Sequence, residues 1–127
     1  MDVLLIDDHP VIHETLRAIV RSVRPGADFH SQFDLEGALT EASLLQDLGL
    51  VLLDLGLPGC SGMDALARFR KKFPRVRVAV ISADDDKAQV RAALAGGAVG
   101  YLPKTLLPMA MAEAIRVILD GGTYRPV

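Results

Sequence analysis

The chain has 127 residues, 50% hydrophobic and 24% charged, with 14 basic against 16 acidic side chains and a formal net charge of −2. A chain of this size buries about two thirds of its unfolded surface, enough for one core and one domain, and its composition excludes intrinsic disorder. The balanced charge offers no overall field for nucleic acid, so DNA binding by these residues alone is not expected.

Short apolar runs alternate with segments of helical period. Val3 to Ile6 is a continuous β-favouring run, the pattern of a strand buried on both faces. After Pro10, Ile12, Leu16, Ile19, Val20 and Val23 recur at helical spacing, and Pro25-Gly26 closes that helix. Ala27, Phe29, Ser31 and Phe33 alternate with polar neighbours as in a half-exposed strand. Asp34 is placed to cap a helix carrying Leu35, Ala38, Leu39 and Ala42. Leu50 to Leu53 is a second buried-strand run, ended by Asp54 and the loop Gly56-Leu57-Pro58-Gly59. Met63, Leu66, Phe69 and Phe73 mark a third helix, stopped by Pro74. Val76 to Ile81 reads as a strand ending at Ser82, and Asp84-Asp85-Asp86 stands where the next helix starts, suiting its dipole. Gly96-Gly97 stops that helix, Val99 to Leu102 is a last strand, and Leu107, Met111, Ala114, Ile115 and Ile118 line a last helix ended by Gly121-Gly122.

Repeated βα units require a parallel sheet with helices on both faces. The expected architecture is the flavodoxin-like (βα)5 doubly wound sheet, strand order 2-1-3-4-5, whose switch point lies between the first and third strands. Asp7 and Asp8 end the first strand and Asp54 ends the third. Neighbouring strands are ~4.8 Å apart, so these carboxylates converge on one crevice. Their mutual repulsion is relieved by a divalent cation, and an oxygen-only donor set suits Mg²⁺. Ser82 and Lys104 reach the same edge, a hydroxyl donor and a cation for anionic oxygens. Together these are the parts for phosphoryl transfer to a carboxylate.

Leu5-Ile6-Asp7-Asp8-His9-Pro10, Leu53-Asp54-Leu55-Gly56-Leu57-Pro58-Gly59, Ile81-Ser82-Ala83 and Gly100-Tyr101-Leu102-Pro103-Lys104 resemble, in order and at each expected strand end, the receiver domain of two-component response regulators. The resemblance implies that Asp54 accepts phosphate from a histidine kinase. It also implies that Asp7, Asp8, Asp54 and the Gly56 carbonyl hold Mg²⁺, that Lys104 contacts the phosphoryl group, and that Ser82 and Tyr101 form the switch pair. Ser82 is expected to move toward the phosphoryl group and the Tyr101 ring to enter, from solvent, the space it vacates. Asp84, two residues past Ser82, is expected to modulate the phosphate's lifetime. One departure from the family pattern is Lys104-Thr105, where many members have Lys-Pro with a cis peptide; before a non-proline that bond costs roughly 2.5–4 kcal/mol.

The Gly-Leu-Pro-Gly loop and the Gly121-Gly122-Thr123-Tyr124-Arg125-Pro126 ending are similar to the NarL/FixJ (LuxR-type) transcription regulators. This divides the chain into a receiver, residues 1–120, and the start of a linker, residues 121–127, to an output domain absent here. DNA would be contacted only by that helix-turn-helix domain. A sensor histidine kinase is the expected partner, with phosphorylation-dependent homodimerisation at family level. The alternatives are a stand-alone phosphorelay or chemotaxis-type adaptor, and a Mg²⁺-dependent phosphatase with Asp54 as nucleophile. That enzyme class commonly needs an acid two residues later, where Gly56 stands, so a phosphoacceptor and not a turnover enzyme is expected.

The remaining signals are read plainly. The lone Cys60 forms no internal disulfide, no apolar run approaches the ~20 residues of a membrane span, and the start is unlike a signal peptide, so a cytoplasmic location is expected. His9 and His13 lie four apart; His13 is expected to face solvent and His9 to pack near the first helix start, neither binding metal. Gly96 to Gly100 lacks dinucleotide-binding spacing. Arg68, Arg70, Lys71, Lys72, Arg75 and Arg77 are read as a solvated face.

Overall fold

The computed structural model describes residues 1–126; Val127, the last residue of the expected linker, lies outside them. Strands β1 (Asp2–Ile6), β2 (Asp28–Gln32), β3 (Leu48–Asp54), β4 (Arg77–Ser82) and β5 (Gly100–Pro103) alternate with helices α1 (Pro10–Val23), α2 (Leu35–Leu44), α3 (Gly62–Lys72), α4 (Lys87–Ala95) and α5 (Pro108–Leu119). All strand pairs are parallel and the order is β2-β1-β3-β4-β5, the flavodoxin-like arrangement. Among the described residues no helix is long and apolar enough to cross a membrane.

The unbroken apolar runs are explained by the two-residue period of a strand. Val3 and Leu5, Leu50 and Leu52, Ala79 and Ile81, and Leu102 face one side, where they pack with Leu16 and Val20 of α1 and Ala114, Ile115 and Ile118 of α5. Leu4 and Ile6, Val51 and Leu53, Val78 and Val80, and Tyr101 face the other side, under Ala38, Leu39, Leu66, Phe69, Val90 and Ala93 of α2, α3 and α4. Each fully buried Leu, Ile or Val contributes about 1.5–3 kcal/mol. A one-residue slip would exchange the two cores, so the register is tightly specified.

Side-chain caps start the α2–α4 layer. Asp34 accepts from the Gly37 N–H at 2.7 Å, Ser61 from Asp64 at 3.4 Å, and Asp86 from Gln89 at 3.2 Å. In contrast, α1 and α5 begin on Pro10 and Pro108, preset for a helical first residue, behind His9 and Leu107, which cap with no side-chain bond. Leu107 is therefore not on the inner face of the last helix as its spacing suggested; it precedes the helix and is exposed. The sheet also differs at its edges. β3 starts two residues before the apolar run and includes Asp54, β5 is shifted by one residue, and Phe33 lies past the end of β2.

Two glycines have physical necessity. Gly97 closes α4 at φ +98°, the left-handed region. Gly62 opens α3 against the preceding loop, and a Cβ there would lie 2.5 Å from the Leu55 carbonyl oxygen and 2.8 Å from its Cα. Gly62→Ala is expected to lower stability by about 1–3 kcal/mol because backbone, not a flexible side chain, must move. Thermal denaturation checks this; an unchanged Tm would show that the loop yields freely.

Arg77 departs from its expected solvated face, since its guanidinium donates to the carbonyls of Ile118 and Gly122 and so anchors the end of α5 to β4. The chain then returns to the sheet. Tyr124 N–H donates to Val99 O at 3.1 Å and Tyr124 O accepts from Tyr101 N–H at 3.0 Å, a parallel bridge on the β5 edge.

Candidate functional site

The strand register gathers the site. Ile6 pairs with Leu53, Asp54 with Ile81, and Ser82 with Pro103, so the residues at and just beyond these ends share one sheet edge. Asp7 and Asp54 are almost wholly buried there, 0% and 1% exposed, with Ser82 at 5%. Lys104 is held at the same edge by its N–H, which donates to Ser82 O at 2.7 Å. No cis peptide occurs among the described residues, so the Lys104–Thr105 bond is trans and the lysine still reaches the acids.

Its ammonium lies 2.9 Å from Asp7 Oδ2 and 3.3 Å from Asp54 Oδ2, an ion pair to both carboxylates. Apart from these ionic contacts, both oxygens, with Asp8 Oδ1, are buried without a hydrogen-bond partner. Asp54 Oδ1 is occupied by the Gly56 N–H at 2.9 Å, which leaves Oδ2 bare toward an open groove of about 330 Å³. Ser82, Lys104, Gly56 and Gln89 line that groove. Gln89 was not singled out in the sequence, since a polar residue on an amphipathic helix carries no signal of its own.

Burial and the charge of Asp7 push the Asp54 carboxyl above its ordinary range, partly opposed by the Gly56 N–H and Lys104. Burial acts on Asp7 in the same direction, but Lys104, with the main-chain N–H of His9 at 2.9 Å and its imidazole at 2.8 Å from Asp7 Oδ1, holds it below the ordinary range. The Lys104 ammonium meets the carboxylates of Asp7 and Asp54 but not that of Asp8, and the three acids together with His9 offer ligand atoms within 4.8 Å of one another. Orphaned buried oxygens with an excess of negative charge fit a divalent cation.

Ser82 and Tyr101 meet through the Asp84 main chain. Asp84 N–H donates to Ser82 Oγ at 3.0 Å, and Tyr101 donates its hydroxyl to Asp84 O at 2.5 Å. Burial, with the carboxylates of Asp84, Asp85 and Asp86, pushes the phenol above its ordinary range, keeping it a donor. The ring is 0% exposed. This corrects the expectation of a ring waiting in solvent: on the inner face of β5 the aromatic joins the core that includes Val80 of β4 and Val90 and Ala93 of α4.

The histidines also depart from expectation. His13 is buried, not solvent-facing; its Nε2 lies 2.7 Å from Asp7 O and its ring stacks on Phe33 at 4.3 Å between centroids. His9 caps α1 as expected, but its Nδ1 also stands 2.8 Å from Asp7 Oδ1 and 3.3 Å from Asp8 Oδ1. Asp84 also lines the groove, and its carboxylate accepts from Asp86 N–H at 2.9 Å.

Comparison with known proteins agrees with this geometry. Residues 3–116 match the profile of the response regulator receiver domain. The chain is 36% identical over 124 residues to a glycerol metabolism activator of Pseudomonas putida, covering 98% of this chain and 56% of that protein. It is 32% identical over 119 residues to the nitrate/nitrite response regulator protein NarL of Escherichia coli, covering 94% and 55%. The chain thus spans a little over half the length of these relatives. Among solved structures, a LuxR family DNA-binding response regulator from Silicibacter pomeroyi superposes with a TM-score of 0.86 at 28% identity, over 99% of this chain and 97% of that one.

Proposed function

This chain belongs to the response regulator receiver domain family, and from that premise we propose that it is the phosphoacceptor module of a transcription regulator, with Asp54 as the acceptor. The observation that carries this reading is Asp54 Oδ2, a buried carboxylate oxygen without a hydrogen-bond partner, facing the groove 3.3 Å from the Lys104 ammonium. A lone pair on Oδ2 attacks phosphorus, the O–P bond forms, and the P–N bond of a histidine kinase's phosphohistidine breaks. The electron pair of the broken bond leaves with the imidazole. Lys104 balances charge on the incoming oxygens, and the Ser82 hydroxyl donates to one of them.

Asp7, Asp8 and Asp54, with the Gly56 carbonyl, would hold Mg²⁺, which when bound neutralises the phosphoryl oxygens. Gly56 offers no acid two residues past Asp54, which favours a stored acyl phosphate over turnover of external esters. Readout runs through residues that already touch. A shift of Ser82 disturbs the Asp84 main chain, hence the Tyr101 hydroxyl, and the Tyr101 N–H holds Tyr124 at the start of the linker. The length of the relatives favours a helix-turn-helix output domain, which alone would contact DNA, over the stand-alone adaptor. Homodimerisation on phosphorylation and a cytoplasmic location complete the reading.

Incubation with acetyl phosphate and Mg²⁺ should give one hydroxylamine-labile phosphoryl group per chain, lost when EDTA is added beforehand. No incorporation by folded protein overturns the proposal. Asp84→Ala is expected to change the phosphate's half-life severalfold, because the Asp84 side chain orders the segment beside Ser82; an unchanged decay rate rejects that role.

A further inference from the structure

We propose that His9 is a fourth metal ligand of this centre and makes it selective for first-row transition ions over Mg²⁺. The inference rests on the reading of Asp7, Asp8 and Asp54 as the cation centre and adds a nitrogen donor to it. His9 follows two acidic residues directly and its backbone is extended, φ −99° and ψ 112°, which turns the ring back over the carboxylates. Nδ1 is 2.8 Å from Asp7 Oδ1 and 3.3 Å from Asp8 Oδ1. Adjacent ligands of one six-coordinate ion with bonds of ~2.1 Å are ~3.0 Å apart, so both separations match neighbouring corners of one coordination shell.

The carboxylate of Asp7 is divided accordingly. Its Oδ2 faces Lys104, and its Oδ1 faces the imidazole. Asp8 Oδ1, the other oxygen beside Nδ1, is buried without a hydrogen-bond partner, and the Asp54 carboxylate offers a ligand atom within 4.8 Å of those of Asp7, Asp8 and His9. The ring itself is largely exposed and its Nδ1 stands 3.4 Å from the Lys104 ammonium; in the tautomer protonated on Nε2, the Nδ1 lone pair is open to a cation. Mg²⁺ gains little from a nitrogen donor, whereas imidazole suits Ni²⁺, Zn²⁺ and, more weakly, Mn²⁺.

The test is calorimetric titration of the unphosphorylated chain, without phosphodonor, with Ni²⁺ and separately with Mg²⁺, for wild type and His9→Ala. His9→Ala should weaken Ni²⁺ by about tenfold or more and leave Mg²⁺ nearly unchanged. Equal changes for both ions, or none for Ni²⁺, overturn the proposal. Pulsed EPR of the Mn²⁺-loaded protein gives a second readout: nitrogen modulation is expected in wild type and should vanish in His9→Ala. Modulation that persists would assign the nitrogen to another histidine and reject His9. Because neither measurement involves phosphate, failure here is distinct from failure of Asp54 as acceptor.

Discussion

Asp54→Asn is expected to lose phosphoryl incorporation altogether and, in metal-free buffer, to melt higher than wild type. The first effect is chemical, since an amide oxygen has too little basicity to displace the leaving group while Asn preserves the shape of the site. The second follows from the same burial. Asp54 is deeply buried beside Asp7, and its carboxyl is raised above the ordinary range. A raised acid adds stability below its unfolded pKa and loses it as pH rises through the folded value, so at neutral pH ionised Asp54 is a cost. Asn keeps an oxygen for the Gly56 N–H and removes one of three crowded negative charges. The gain is about 1–2 kcal/mol, or several degrees in Tm at pH 7. It should shrink toward pH 3, and Mg²⁺ should narrow it by stabilising wild type. Incorporation surviving in Asp54→Asn would reject the acceptor. A lower Tm in EDTA at pH 7 would reject the electrostatic account.

What could be read beforehand follows from how far each signal reaches along the chain. The two cores were legible because runs such as Leu50 to Leu53 can be continuous only when both sheet faces are covered, and acids ending such runs must be at an edge. That combination places Asp7, Asp8, Asp54, Ser82 and Lys104 at one sheet edge from the sequence alone. Residues whose environment comes from a distant element were not legible. His13 shares the buried face of α1 with Leu16 and Val20, but an imidazole reads as a solvent-facing residue until Phe33, past the end of β2, covers it and the Asp7 carbonyl gives its Nε2 a partner. Leu107 keeps the apolar spacing of α5, yet Pro108 fixes where the helix begins and leaves it outside. The Tyr101 ring faces inward by strand alternation, although its motif alone could not place its hydroxyl on Asp84 O. Arg77 reads as part of a basic surface because its partners, the carbonyls of Ile118 in α5 and Gly122 just past it, are more than forty residues away.

Lys104→Ala is expected to lower stability by about 3 kcal/mol at pH 7 without metal, the cost of leaving buried carboxylates with no cation. Lys104 is itself mostly buried and lies against both Asp7 Oδ2 and Asp54 Oδ2, so no solvent-exposed lysine replaces it. The sign with pH is set by Asp7. Its carboxyl is held below the ordinary range despite burial, through Lys104 and His9. Such an acid adds stability above its unfolded pKa and loses it as pH falls through the folded value. Removing Lys104 therefore costs most near neutrality and progressively less below about pH 4, where the carboxylates take up protons. Mg²⁺ should recover part of the loss by supplying the missing positive charge, whereas Na⁺ at the same ionic strength should not. Phosphoryl transfer from acetyl phosphate should remain slow even with Mg²⁺ saturating, because Lys104 is the ammonium beside Asp54 Oδ2, the oxygen proposed to attack phosphorus. Thermal melts at pH 3.5 and pH 7, with and without Mg²⁺, separate charge from packing. An equal loss at both pH values would mean that the aliphatic stem of Lys104, and not its ammonium, holds this edge of the sheet together.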